Sequence, residues 1–243
     1  MKSSTDNKPV AIFDIDGTIF RNSLLIELHW KMVKEGVIPK DSINGLNDKY
    51  WNWVRRTGSY DDYLLEVIES FNHFIVGVPT EVIANLARQV VATQSSIVYR
   101  FSRDLIEKLR TTHLLVAISG SPEVVVAAFA QAWGFDHYIG TQHRIENGAY
   151  AAGPVWVASI NKEESLEKLK QQHGFTLGPG SIGVGDTESD AKILALVERP
   201  MCINPTRGLY ALAEERGWEV IIERKDTILR LIKGVAKIYE GDV

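Results

Sequence analysis

Three apolar runs of this chain end in residues that can hold a cation or move a proton. Asp14 and Asp16 follow the run Val10 to Phe13, Ser119-Gly120-Ser121 follows Leu114 to Ile118, and Gly185-Asp186 follows Ser181 to Val184, with Asp190 four residues further on. On a helical first turn Asp186 and Asp190 would share a face, and Gly183 and Gly185 would leave room for a close approach. Carboxylates crowded together repel unless a cation lies between them. A hard ion such as Mg²⁺ suits that position, because it takes oxygen ligands, keeps several waters and is usually held by one or two carboxylates plus a substrate phosphate. Each segment also has a plainer explanation. Asp and Gly favour turns at strand ends, Asp186 and Asp190 suit a helix start, and Ser121 before Pro122 suits an N-cap.

These groups meet only if the runs are neighbouring strands. Val10 to Phe13 reads as a buried strand stopped by a turn. A helix follows from Asn22 or Ser23 as N-cap, with Leu24, Leu25, Leu28, Met32 and Val33 at helical spacing and Gly36 to end it. Pro39 to Gly58 reads as irregular and aromatic. Further helices are predicted from Tyr60 to about Phe74 and from Pro79, with Val82, Ile83, Leu86, Ala87 and Val90 on one face. Beyond about Thr93 strand and helix take turns. A helix near Arg103 to Arg110 precedes the strand Leu114 to Ile118, and a helix from Pro122 closes at Gly134. Tyr138 to Ile145 and Tyr150 to Val157 form a hairpin across Asn147-Gly148, at a sheet edge or as a flap. Helices from Lys162 to His173, around Ser189 to Val197 and from Thr206 to Arg216 alternate with strands at Ser181 to Gly185, Met201 to Ile203 and Trp218 to Ile222. This pattern predicts an α/β fold with a doubly wound, mainly parallel sheet, a Rossmann-like core over 1–22 and 94–243, interrupted by an all-helical cap over 23–93. In such sheets ligands bind outside the carboxyl ends of the strands, where the polar residues fall.

Composition narrows the function. The 243 residues, 45% hydrophobic and 24% charged, suffice for a core without staples. With 27 basic against 31 acidic residues, a net charge of −4 and no basic stripe, nucleic acid is not an expected partner. The lone Cys202 leaves no internal disulfide or cysteine zinc cluster, and the six histidines show no metal spacing. The polar segment Met1 to Pro9 lacks a signal peptide's apolar core, and the longest apolar stretch, Val124 to Trp133, is too short to span a bilayer. The expectation is a cytoplasmic protein without membrane insertion.

Asp14-Ile15-Asp16-Gly17-Thr18, Ser119 after a strand, Lys162 opening a helix and Gly185-Asp186-Thr187-Glu188-Ser189-Asp190 together resemble the four ordered motifs of the haloacid dehalogenase superfamily of phosphohydrolases. The closer likeness is to its phosphoserine-phosphatase-like branch (subfamily IB), which carries a helical cap between the first two motifs. Ile203-Asn204-Pro205 through Leu209 to Gly217-Trp218 is also similar to that branch's carboxyl-terminal signature. The resemblance implies a Mg²⁺-dependent phosphatase that hydrolyses a small phosphorylated metabolite through an aspartyl-phosphate. Asp14 would be the nucleophile, and Asp16 would protonate the leaving alcohol and then activate water. Asp14, the backbone carbonyl of Asp16 and Asp186 would hold the metal, with Asp190 binding it directly or orienting its waters. Ser119 and the amide of Gly120 would hold phosphoryl oxygens, and Lys162 would balance their charge. Read alone, Lys162 shares its helix with Lys168 and Lys170, lysines of a kind that normally face solvent.

The match departs from the branch at informative places. Enzymes acting on phosphoserine usually carry Glu nine residues after the nucleophile, where this chain has Ser23, and a cap Arg for the substrate carboxylate, where the helix from Tyr60 to Asn72 has acidic residues with Leu64 and Leu65. Arg55 and Arg56 lie upstream, and Ser189 stands where Asn is frequent. Phosphoserine is therefore disfavoured. Trp30, Trp51, Trp53 and Tyr60 read as the core of the insertion, one of them a candidate to line the pocket. The alternatives are a phosphotransferase or mutase using the same intermediate and a receiver-like module phosphorylated on Asp14, which would lack so large an insertion.

Overall fold

The computed structural model describes residues 8–232 and 235–238. Met1 to Asn7, read above as part of a polar start, lie outside the described residues. Strand β1 (Val10–Phe13) is apolar at every position because it is buried on both faces with a parallel partner at each edge. Val10 and Ile12 pack on one face, Ala11 and Phe13 on the other. Strand β2 (Leu114–Pro122) pairs Phe13 with Ala117, and β5 (Ile182–Gly185) pairs Phe13 with Val184. The three polar segments therefore emerge side by side at one sheet edge.

Adding β3 (His137–Glu146), β4 (Ala149–Trp156), β6 (Arg199–Ile203), β7 (Glu219–Arg224), β8 (Thr227–Ile232) and β9 (Val235–Ile238) gives the order β4-β3-β2-β1-β5-β6-β7-β8-β9. Strands β3 through β7 in that order pair in parallel, and the outer pairings are antiparallel. The chain runs outward from β1 to one side through β2 and β3, then to the other through β5 and β6. Such a reversal opens a crevice at the carboxyl end of the central strand. The hairpin of β3 and β4 turns through Asn147 (φ 51°) and Gly148 (φ 78°), the positive angles a type I′ turn requires. It forms the sheet edge.

Between β1 and β2 lie α1 (Leu24–Lys34), a 3₁₀ turn (Lys40–Ile43), α2 (Asn44–Val54), α3 (Tyr60–Phe74), α4 (Thr80–Gln94) and α5 (Arg100–Leu109). Their apolar faces join the Ala11 and Phe13 side of the sheet, together with α6 (Glu123–Trp133), in one continuous cluster. Leu166 and Leu169 of α7 (Lys162–His173) and Ile193 of α8 (Ala191–Leu194) cover the opposite face, and Leu209 and Ala213 of α9 (Arg207–Arg216) cover Cys202 and Val220.

Two regions differ from the sequence reading. Pro39 to Gly58 is largely helical, because α2 gains from packing what Asn44 and Gly45 lose in propensity. Leu46 is buried, and Tyr50 and Trp53 contact Tyr63. The sequence pattern predicts no strand after Ile222, where β8 and β9 follow. They exist as antiparallel additions to β7, with a turn at Lys225 (φ 53°), a pairing that local pattern does not encode.

Phe13 is fully buried and meets Phe135 edge to face at 5.8 Å. Replacing it with Ala should cost about 3–5 kcal/mol in urea unfolding. A loss below about 1 kcal/mol would mean that the central strand does not anchor this core.

Candidate active site

Asp14 continues β1 by one residue, donating its backbone N–H to Val184 at 2.9 Å, which aims its side chain into the crevice between β1 and β5. Asp186 follows β5 at the same edge. Carboxylate oxygens of Asp14, Asp186 and Asp190 all lie within 4.8 Å of one another. Asp186 and Asp190 meet through a turn rather than a shared helical face. The Asp190 carboxylate folds back to accept the backbone N–H groups of Asp186 (3.2 Å) and Thr187 (3.1 Å) and the Thr187 hydroxyl (3.2 Å). Its second oxygen accepts from Lys162 Nζ at 2.5 Å, and Lys162 also donates to Asp14 at 2.6 Å. Lys162, 4% exposed, is thus the buried cation of this cluster, unlike the lysines that follow it on α7.

The charges do not cancel. Burial pushes the Asp14 carboxyl up to about 7, with Asp190 and Asp16 adding to the rise and Lys162 opposing it. Burial, Asp14 and Asp190 raise Asp186 well above the usual carboxylate range. Burial disfavours a charged lysine at position 162, but Asp14 and Asp190 outweigh it and hold the ammonium charged. Three carboxylates against one lysine leave negative charge uncompensated in a buried place. A hard divalent cation on Asp14 and Asp186 would complete it, since both offer oxygen ligands and the lone pairs of Asp190 are already largely occupied.

Asp16 points elsewhere. One oxygen accepts from the Ser119 hydroxyl (2.7 Å) and the Ser121 hydroxyl (2.8 Å), the other from the backbone N–H of Leu24 (2.6 Å) at the start of α1. The Ser121 hydroxyl also accepts from the N–H of Leu25 at 2.9 Å. The start of α1 is therefore capped by Asp16 and Ser121, while Ser23, in the N-cap position, makes no side-chain cap. Burial raises the Asp16 carboxyl, and these three donors oppose the rise. Ser119 is fully buried, its hydroxyl turned to Asp16, and the neighbouring wall of the crevice is built by Gly120 and Ser121.

A cavity of about 340 Å³ opens over Asp14, Asp16, Lys162 and Asp186. Its outer wall comes from the inserted helices: Leu25, Trp53, Tyr60, Leu64 and Ile68. Of the tryptophans singled out in the sequence, Trp53 reaches the cavity, Trp51 is about half exposed, and Trp30 donates to the Tyr63 hydroxyl at 3.0 Å. Arg55 and Arg56 are exposed and do not line it, and Arg55 lies over the Trp51 ring. The arginine at the cavity is Arg21, whose guanidinium lies 5.6 Å from the Tyr99 ring centre. Sequence reasoning did not single out Thr18 as a partner of Asp186, although it belongs to the Asp14 motif. Its hydroxyl donates to Asp186 at 3.0 Å. Ser159, against Gly120, carried no local signal at all.

Residues 11–195 match the model of the haloacid dehalogenase-like hydrolases. The chain belongs to this family. It is an enzyme, a hydrolase whose relatives include phosphatases. A histidinol-phosphatase of Neisseria meningitidis is 25% identical over 231 residues, covering 88% of this chain and 98% of that protein. A protein of unknown function from Bordetella pertussis shares the fold with a TM-score of 0.72 at 20% identity, over 89% of this chain and 99% of that one. A phosphoserine phosphatase solved as an analogue of its phospho-aspartyl intermediate superposes with a TM-score of 0.56 at 15% identity, over 91% and 96% of the two chains. The two solved structures share the α/β fold of this chain.

Gly17 is fitted to this site twice over, by a positive φ of 81° and by the Asp186 carboxylate, which occupies the place a Cβ would take. Gly17→Ala should therefore destabilise the protein by about 1–3 kcal/mol in denaturant and reduce hydrolysis sharply. Unaltered unfolding would show that the turn relaxes without disturbing Asp186.

Proposed function

We propose that the protein is a Mg²⁺-dependent phosphatase that hydrolyses a small phosphomonoester through an aspartyl-phosphate on Asp14, beneath a cap formed by residues 23–93. The observation that carries this reading is the placing of Asp14 at the floor of the cavity, within reach of Asp186 and bonded to Lys162. The names of the relatives, histidinol-phosphatase and phosphoserine phosphatase, agree with phosphomonoester chemistry. Asp14 and Asp186 would hold the cation, which lowers the repulsion between an anionic nucleophile and an anionic phosphate. The Asp14 carboxylate attacks phosphorus as the alcohol leaves, and water then attacks the acyl-phosphate.

Asp16 is suited to both proton transfers. Its raised pKa favours the protonated form needed to donate to the leaving oxygen, and its partners fix its direction. Once the alcohol has left, the ionised carboxylate accepts a proton from the attacking water and is stabilised by the first N–H of α1. Ser119 and Ser121 serve in this arrangement by holding Asp16, and the phosphoryl oxygens are received by the backbone N–H of Gly120 and the third N–H of Lys162. Asp190 keeps Lys162 and the Asp186 loop in place.

Two measurements test the reading. Asp14→Asn should abolish release of phosphate from a generic ester such as benzyl phosphate, and near-normal turnover would remove Asp14 as nucleophile. Metal-free protein should lose stability as pH rises from 4 towards 7. The native state binds more protons than the unfolded chain over that window, because the native Asp14 carboxyl titrates near 7 rather than at the ordinary 3.8. At neutral pH a Mg²⁺ concentration of a hundred times its Kd should raise Tm by about 5–10 °C and restore activity after chelation. A melting temperature indifferent to Mg²⁺ would refute the metal site.

A further inference from the structure

The wall facing the reaction centre bears on which alcohol the phosphate is attached to. Among the described residues that line the cavity, the charged ones are Asp14, Asp16, Asp186, Lys162 and Arg21. The first four are tied to the reaction centre by the contacts given above, and Arg21 is exposed and lies over Tyr99. Glu27, in the first turn of α1, is turned to the Asn22 amide and borders a different cavity. No carboxylate among these residues is left to meet a substrate ammonium. Leu25, Trp53, Tyr60, Leu64 and Ile68 offer apolar and aromatic surface instead, with Asn22 and Ser23 uncharged beside them.

The aromatic part of this wall is held in place. Trp53 stacks on Tyr63 with centroids 5.8 Å apart and planes 6° from parallel, and Tyr63 is fully buried and fixed by the Trp30 N–H. Tyr60 packs against Trp53 at 5.1 Å. A rigid aromatic face binds a flat apolar group without first losing side-chain freedom. An ammonium placed there would meet ring faces but no free carboxylate, and the cation–π attraction of about 0.5–2 kcal/mol does not offset the hydration it gives up.

We propose that the natural substrate class is the phosphomonoester of an uncharged alcohol whose aromatic or flat apolar group packs between Trp53, Tyr60, Leu64 and Ile68, and that amine-bearing phosphomonoesters are discriminated against. This rests on the phosphatase reading of the same site, and it departs from the amino-alcohol chemistry that the names of the relatives carry.

Benzyl phosphate and para-(aminomethyl)benzyl phosphate, which release closely similar alcohols, separate the two possibilities. With Mg²⁺ present, kcat/KM should favour the uncharged ester by about tenfold or more. Trp53→Leu should raise KM for benzyl phosphate by about tenfold with a smaller effect on kcat, and Leu64→Glu should move the preference towards the amine by a similar factor. Equal or greater efficiency on the amine, or a preference that neither variant moves, overturns the inference. Calorimetric binding of the inert benzylphosphonate and para-(aminomethyl)benzylphosphonate keeps it independent of turnover. Tighter, Trp53-dependent binding of the uncharged phosphonate by a protein that hydrolyses no ester would sustain the pocket assignment and reject the phosphatase reading. Failure to prefer the uncharged phosphonate would reject the assignment itself.

Discussion

Three carboxylates converge on one buried lysine at the end of the central strand, and much of the surrounding structure serves to keep that charge in place. Asp14, Asp190 and Lys162 are each less than about one-tenth exposed, so their charges cannot be left to solvent. The interior makes an unpaired charge costly, and the lysine offsets part of what three acids impose. Burial, reinforced by the neighbouring acids and only partly opposed by the lysine, holds the Asp14 and Asp186 carboxyls above their usual range. That residual negative charge is the physical demand a divalent cation meets.

The glycines around the cluster follow from the same crowding. At Gly17 and at Gly185 a Cβ would fall on the Asp186 and Asp190 carboxylates respectively. Backbone and acid therefore share a space that admits no further side chain.

A second coupling joins the inserted helices to the strand ends. The first two N–H groups of α1 are accepted by Asp16 and Ser121, which belong to loops after β1 and β2. The positive end of a helix thus faces the carboxylate assigned to proton transfer. Any displacement of α1 must break these bonds, so the insertion and the loops after β1 and β2 hold one another. The cavity wall shares this anchoring, because Leu25 lies in the first turn of α1 and Trp30, on the same helix, donates to Tyr63, on which Trp53 stacks.

Much of this was legible from local pattern. The strand Val10 to Phe13, the acidic turn after it, the Asn147-Gly148 hairpin and the helices ending at Gly134, Gly174 and Gly217 are each specified by neighbouring residues, through apolar runs, turn chemistry and left-handed caps. The acidic residues at strand ends pointed to a hard cation, and the order of the motifs, through their family resemblance, to phosphate chemistry. Helix α2 and strands β8 and β9 were not legible, since they are stabilised by Tyr63 and by β7, partners distant in sequence or acting through backbone pairing.

The division at the site is similar. That Asp14, Asp16 and Asp186 line one crevice could be inferred from motif order, but only the tertiary structure decided which groups each of them meets. Asp16 turns to Ser119, Ser121 and α1 because those donors lie beside it in space, across |i−j| separations of 103, 105 and 8. Lys162 becomes a buried cation because β5 and its following turn bring Asp190 to it across 28 residues. Side-chain type is carried by the chain itself, whereas partnership is a property of distance, and distance between remote residues is set only when the sheet and its helices have packed.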